Sequence, residues 1–405
     1  MLRIRWKGTR MISQKMRPFV ENGSAIRAMF EEGLRLQETY GAENVFDFSL
    51  GNPNLPAPRS VEESIIRLTK TQEPTTLHGY MPNVGFPQVR STIADNLNRR
   101  FGTDFSEKNI IMTVGAASGL NVILKTILDP GDEVIVFTPF FMEYASYVRN
   151  YDGALVEVET DSETFLPDPE KLAEALTPRT KAVIINTPNN PTGVIYGEDV
   201  LRALSDTLRA AEQRFGTQIL LISDEPYREL AYDGVEVPFA TKFYPDTVIC
   251  YSFSKSLSLP GERIGYLLIP DSVGGAREMT DAAVIANRII GSVNAPSLMQ
   301  LVVAENLDAD ISENLAAYDA NRRLLYSSLE ELGFSCVYPS GAFYLWMKVP
   351  GDEKEFVALC KKHCVLVVPG SSFHYPGYVR IAYCVSHEKL ERSLAAWKKI
   401  ASEAL

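Results

Sequence analysis

The sequence predicts an α/β protein: a large domain on a mostly parallel mixed sheet flanked by helices, joined to a smaller α+β domain. Three observations predict it. Between about residues 85 and 270, short apolar β-rich runs alternate with helical stretches, as in a parallel sheet covered on both faces. After residue 296 long helical spacing takes over. The 405 residues also suffice for more than one domain-sized unit.

In chain order, residues 1–23 form an N-terminal extension. Its start is basic (Arg3, Arg5, Lys7, Arg10) and lacks the apolar run of a signal peptide, and Met11 is an alternative start. Residues 24–40 have helical spacing, with Ser24 as a cap and Ile26, Met29, Phe30, Leu34 and Leu36 apolar. A short strand and turn follow in FDFSLGNPNLP. Residues 87–100 are helical, Ile110–Val114 is a strand, and 116–128 is a helix with Leu120, Ile123, Leu124, Ile127 and Leu128 on one face. Further strands are Val134–Phe137, Val183–Asn186, Ile219–Ser223, Val248–Ser252 and Ile264–Ile269. These place the large domain at 51–295. The small domain combines 24–50 with 296–405: long helices over 297–331, two strands within 334–348, a helix, β segments at Val365–Val368 and Tyr378–Cys384, and a terminal helix.

Bulk composition excludes several classes. Hydrophobic residues make up 45% and charged residues 22%, ordinary for a soluble globular chain. The net charge of −11 argues against a general nucleic-acid binder, which needs a basic face. No apolar stretch is long enough to span a bilayer. Five irregularly spaced cysteines do not make a disulfide framework, so a reducing cytoplasm is the expected setting. Cys360, His363 and Cys364 have no second ligand pair, and no metal site is expected.

Open α/β sheets bind ligands at the carboxyl ends of their strands, and here those ends carry chemistry. Ile110–Val114 runs into Gly115-Ala116-Ala117-Ser118-Gly119 and a helix. Small residues at a helix N-terminus suit an anion such as phosphate, although tight β-to-α turns use the same residues. Val183–Asn186 runs into TPNNPTG, composed like a turn. Ile219–Ser223 runs into Asp224-Glu225-Pro226-Tyr227, where an acid is more commonly a helix cap. Val248–Ser252 runs into Phe253-Ser254-Lys255, and a lone lysine is normally a solvated charge. Each bland reading holds singly, but not for all of them together in this order.

From about Ser24 to the C-terminus the sequence resembles the class I/II aminotransferases, aspartate aminotransferase-like members of the fold-type I pyridoxal-phosphate-dependent enzymes. NNPTG, DEPY and SFSKSLSLPGERIGY carry the resemblance, with Ser252, Lys255 and Arg263 in the family's spacing. The resemblance implies pyridoxal 5′-phosphate as cofactor, and roles for single residues. Lys255 would form the Schiff base and then move the α-proton. Asp224 would sit at the pyridine nitrogen and keep the ring protonated. Tyr227 and Asn190 would donate to the phenolic oxygen. Arg263, Ser252 and the backbone of Ala116 and Ala117 would hold the phosphate. Phe141 would stack on the ring. Tyr80 would reach the partner subunit's phosphate in a homodimer with shared sites, or else simply pack. Arg380 would bind the substrate carboxylate, and Gly51 would line the substrate site beside it. Arg288 lies near where some relatives place a second cation for a dicarboxylate, and is equally readable as a surface residue.

The implied reaction is a ping-pong amino transfer between an L-amino acid and a 2-oxo acid. Glutamate and 2-oxoglutarate are the default pair, and an aspartate-like, alanine-like or aromatic donor is open. A carbon–sulfur β-lyase or a decarboxylase would use the same lysine and phosphate cup. A regulator that fuses a DNA-binding domain to this fold is disfavoured, because about 23 residues precede the first helix, too few for a winged helix.

Overall fold

A computed structural model describes residues 11–21 and 25–405. Its centre is a seven-stranded sheet in the order Ile110–Thr113, Gly265–Leu268, Thr247–Ser252, Leu220–Asp224, Thr180–Asn186, Glu133–Thr138, Ala154–Glu159. Gly265–Leu268 runs antiparallel to both neighbours and the other pairings are parallel. Alternate side chains enter two apolar layers. Ile135, Val183, Leu221 and Ile249 meet helices Pro87–Phe101 and Glu198–Phe215 on one face. Val134, Ile184, Ile222 and Val248 meet helices Ala116–Ile127 and Ala276–Ile289 on the other. Burial on both faces explains why these strands are continuous apolar runs rather than alternating ones.

The sheet's last strand, Ala154–Glu159, departs from the sequence expectation, which had no strand there. It is an edge strand with mostly exposed or half-buried residues, so its ALVEVE pattern alternates and lacks the apolar run of its neighbours.

A second, four-stranded antiparallel sheet is ordered Val368–Pro369, Tyr378–Ala382, Tyr344–Lys348, Ser335–Val337, with Trp346 opposite Arg380. Phe46–Asp47 pairs with Val365–Leu366 beside it. Leu325, Leu345, Met347, Val379 and Trp397 form its core with helices Ser312–Glu331 and His387–Ala404. In the first long helix, Ala25–Tyr40, Met29 joins this core while Leu34 is exposed; Ser24 lies outside the described residues. Helix Ser297–Glu305 was expected with the small domain, yet its Met299, Val302 and Val303 join the large sheet's apolar layer. Conversely, Tyr227, Leu230 and Tyr232 pack in the small sheet's core. Ala231 bridges to Gly341, and the Tyr232 hydroxyl donates to the Ala342 carbonyl at 2.5 Å. Among the described residues no helix is long and apolar enough to cross a membrane.

Candidate active site

Strand register brings the strand ends together. Asn186 pairs with Asp224, Asp224 with Cys250, and Ser252 and Thr113 both with Gly265. Around these ends lies a cavity of about 270 Å³. Every site residue that the resemblance implies lines it, except Tyr80 and Arg288. Tyr80 is 95% exposed, and Arg288 is exposed on helix Ala276–Ile289.

One end of the cavity is built for an anion. Helix Ala116–Ile127 begins there with no side-chain cap, leaving its first N–H groups free. Ser252 and Ser254 share a 2.7 Å hydrogen bond, and Arg263 reaches over from the next turn. Its guanidinium donates to the carbonyls of Pro260 at 3.1 Å and Val114 at 3.4 Å. Gly115 has φ 79°, and a Cβ there would lie 2.8 Å from Arg263 Nη2. The left-handed backbone therefore favours glycine at this position, while the arginine tip could shift to admit a Cβ.

In the middle, Asp224 is buried. Its Oδ2 accepts a 2.6 Å bond from the Tyr144 hydroxyl, and its Oδ1 has no partner. Burial pushes the carboxyl up to about 7, against the downward pull of the Tyr144 bond. The Tyr144 ring meets Phe141 edge-on at 5.5 Å. Lys255, in the short helix Phe253–Ser256, points its amine to the Gly51 carbonyl at 2.6 Å. Burial brings that amine down to about 8, and Arg380 and Arg263 press the same way.

At the other end Arg380 is 1% exposed in its apolar strand. A buried guanidinium is costly unless it is paired. Among the described residues it has no carboxylate: it donates to Asn190 Oδ1 at 2.9 Å and the Ser49 carbonyl at 2.6 Å, and Nε is unbonded. The rings of Tyr344 and Phe373 flank the guanidinium at 4.5 and 4.9 Å. Asn190 is itself fixed by its N–H to Asn186 Oδ1 at 2.8 Å. The Tyr227 hydroxyl lies 2.8 Å from that of Tyr344.

Sequence reasoning missed Tyr144, Asn186, Ser254 and Tyr344. Asn186 and Ser254 had a usable signal, since both sit at strand ends already marked. Tyr144 and Tyr344 had none, because their partners lie 80 and 117 residues away in sequence.

The model of the family described as "Aminotransferase class I and II" matches residues 43–396. A probable aspartate/prephenate aminotransferase of Thermus aquaticus is 36% identical over 349 residues, covering 85% of this chain and 88% of the relative. The aspartate/prephenate aminotransferase of Thermus thermophilus is 35% identical over 361 residues, covering 87% and 90%. Among solved structures, an amino transferase from Eubacterium rectale superposes with TM-score 0.94 at 42% identity, over 98% of this chain and 100% of that one. The aspartate aminotransferase from Thermus thermophilus with maleate gives 0.86 at 32% identity, over 97% and 100%. The chain therefore belongs to the class I and II aminotransferases, enzymes that work with pyridoxal 5′-phosphate.

Proposed function

We propose that the chain transfers an amino group between an L-amino acid and a 2-oxo acid in two half-reactions, with glutamate and 2-oxoglutarate as one pair and an aspartate-like donor for the other. The observation that carries this reading is the buried Arg380 guanidinium, which has no carboxylate of its own and an unbonded Nε. Every amino acid and 2-oxo acid brings a carboxylate, and a planar fork binds it well.

The residues present fit the cofactor. A partnerless carboxylate oxygen on Asp224 suits a protonated ring nitrogen, and the free helix N-terminus with Ser252, Ser254 and Arg263 suits a phosphate. When bound, pyridoxal phosphate supplies an aldehyde for the amine and a ring that takes up the electron pair left at the α-carbon. Asp224 would hold the nitrogen's proton, with Tyr144 fixing the carboxylate. Tyr227 and the Asn190 amide, whose Oδ1 is already turned to Arg380, would donate to the ring's phenolic oxygen. Phe141 would cover the ring face. Lys255 Nζ would carry the covalent link and, once the substrate amine displaces it, move the proton at the α-carbon. An amine brought down from 10.5 to about 8 gives up its proton far more readily than an ordinary lysine, which suits a group that must alternately hold and release one. Tyr80, exposed outside the cavity, would reach the phosphate in the site of a second copy of the chain in a homodimer.

The dicarboxylate maleate in the Thermus thermophilus structure supports the acidic-donor reading. The test is the visible spectrum of the purified protein during addition of glutamate, then 2-oxoglutarate. The expected result is a yellow band that bleaches and returns. A band indifferent to both compounds would remove glutamate as donor, and release of pyruvate and ammonia without an oxo-acid acceptor would replace transfer by β-elimination. Lys255→Ala should abolish turnover.

A further inference from the structure

Tyr344 lies where the parts of the site meet. It is 2% exposed, yet its edge lines the cavity. Its hydroxyl is 2.8 Å from that of Tyr227, and its ring carries the Arg380 guanidinium at 4.5 Å. A Cβ at Gly51, whose carbonyl takes the Lys255 amine, would come within 2.8 Å of Tyr344 Cζ. One ring thus touches the tyrosine proposed for the cofactor's oxygen, the arginine proposed for the substrate, and the loop that receives the lysine.

A phenol has one proton to donate. Between Tyr227 and Tyr344 one proton occupies the shared hydrogen bond and the other is free to point into the cavity. Which phenol keeps the free proton depends on which is the better donor. Burial raises both phenols, but the Arg380 guanidinium lies 4.5 Å over the Tyr344 ring and favours the Tyr344 phenolate directly. Tyr344 is therefore the more acidic phenol and the natural donor of the pair. Its donation turns the Tyr227 lone pairs toward Tyr344 and leaves the Tyr227 proton for the cavity. A donor that itself accepts a hydrogen bond is a stronger donor.

We propose that Tyr344 is a positioning residue that donates to Tyr227 and so fixes the direction and strength of the Tyr227 hydrogen bond to the cofactor's phenolic oxygen. The proposal rests on the reading of Tyr227 given above. It acts through Tyr227 alone, which makes it separable from a packing role.

The experiment is a pH titration of the visible absorbance of the loaded enzyme, for wild type, Tyr344→Phe, Tyr227→Phe and the double variant. Phenylalanine keeps the ring against Arg380 and removes only the hydroxyl. Losing the donated bond weakens stabilisation of the phenolate form, so the midpoint of Tyr344→Phe should rise by about half a pH unit or more, the worth of one buried hydrogen bond. In the Tyr227→Phe background the same change should leave the midpoint where it is. Equal shifts in both backgrounds, or none in either, would overturn the proposal. Replacing Tyr344 by 3-fluorotyrosine, which keeps the hydroxyl and makes it more acidic, should lower the midpoint. A rise there would also overturn it, and this arm does not depend on folding of the phenylalanine variant. A wild-type protein with no visible band after cofactor addition would overturn the cofactor reading itself. A normal wild-type titration with unmoved variants would overturn only the role of Tyr344.

Discussion

The Tyr144 hydroxyl donates to Asp224 Oδ2 at 2.6 Å, while Oδ1 of the same buried carboxylate has no hydrogen-bond partner. One oxygen is thereby held and the other presented. A buried charge-assisted bond of this kind is worth about 1.5–3 kcal/mol. Tyr144→Phe should therefore lower kcat about tenfold or more, with little change in KM, because the substrate carboxylate is proposed to bind at Arg380. Steady-state kinetics with glutamate check this, and a change in KM alone would count against it.

Asp224 also predicts a pH dependence of the cofactor-free chain. Its carboxyl titrates at about 7 in the fold instead of near 3.8. The native state thus holds the proton where the unfolded chain has lost it, and stability falls as pH rises from about 4 to about 7. Asp224→Asn removes that dependence and should be more stable at pH 8 by up to about 4 kcal/mol. Urea unfolding at pH 5 and pH 8 checks the sign.

Lys255 acts in a different window. Its amine titrates at about 8 instead of 10.5. The native state releases this proton first, so stability rises with pH between about 8 and 10.5 and is lost below that window. Lys255→Met should abolish transfer and stabilise the cofactor-free chain at pH 7 by up to about 3 kcal/mol. Melting temperatures across that range would show a flatter profile for the variant.

Arg380→Lys keeps the charge and loses the fork. Removing one partner of a buried charged interaction costs about 2–5 kcal/mol, so kcat/KM for both the amino acid and the oxo acid should fall about 100-fold or more. A loss confined to one substrate would mean that the two carboxylates bind at different places.

Gly51→Ala tests the loop under the lysine. The added methyl would meet the Tyr344 ring, with Cζ at 2.8 Å. The ring is buried and flanked by Arg380 and Phe343, so the loop must move instead. Overpacking of this sort costs about 1–3 kcal/mol. It should appear as a lower melting temperature together with lower kcat, since Gly51 carries the carbonyl that receives the Lys255 amine.

The sequence made much of this legible because strand ends in an open parallel sheet are both easy to mark and chemically used. Asp224, Ser252 and the Ala116 helix start all lie at the end of a continuous apolar run or just past it, and the resemblance then tied Lys255 and Arg263 to them. The missed parts share a cause. Strand Ala154–Glu159 is at the sheet edge and half exposed, so burial does not write an apolar run there. Helix Ser297–Glu305 shows no local sign of which sheet it will join. Tyr144 and Tyr344 look like ordinary core aromatics until the fold brings their hydroxyls to Asp224 and Tyr227.

Asp224 and Tyr227 are three residues apart, yet one ends a strand of the large sheet and the other is rooted in the core of the small one. That short stretch works as a tendon strung across a joint. Its far end is moored by the Ala231–Gly341 bridge and by Tyr232 on Ala342, so slack on the small-sheet side is passed straight to the Tyr227 hydroxyl. A substitution such as Tyr232→Phe, which touches neither cofactor nor substrate, should then change the colour titration of the loaded enzyme as well as its melting temperature. A variant that melts earlier with an unmoved titration would show the tendon to be slack.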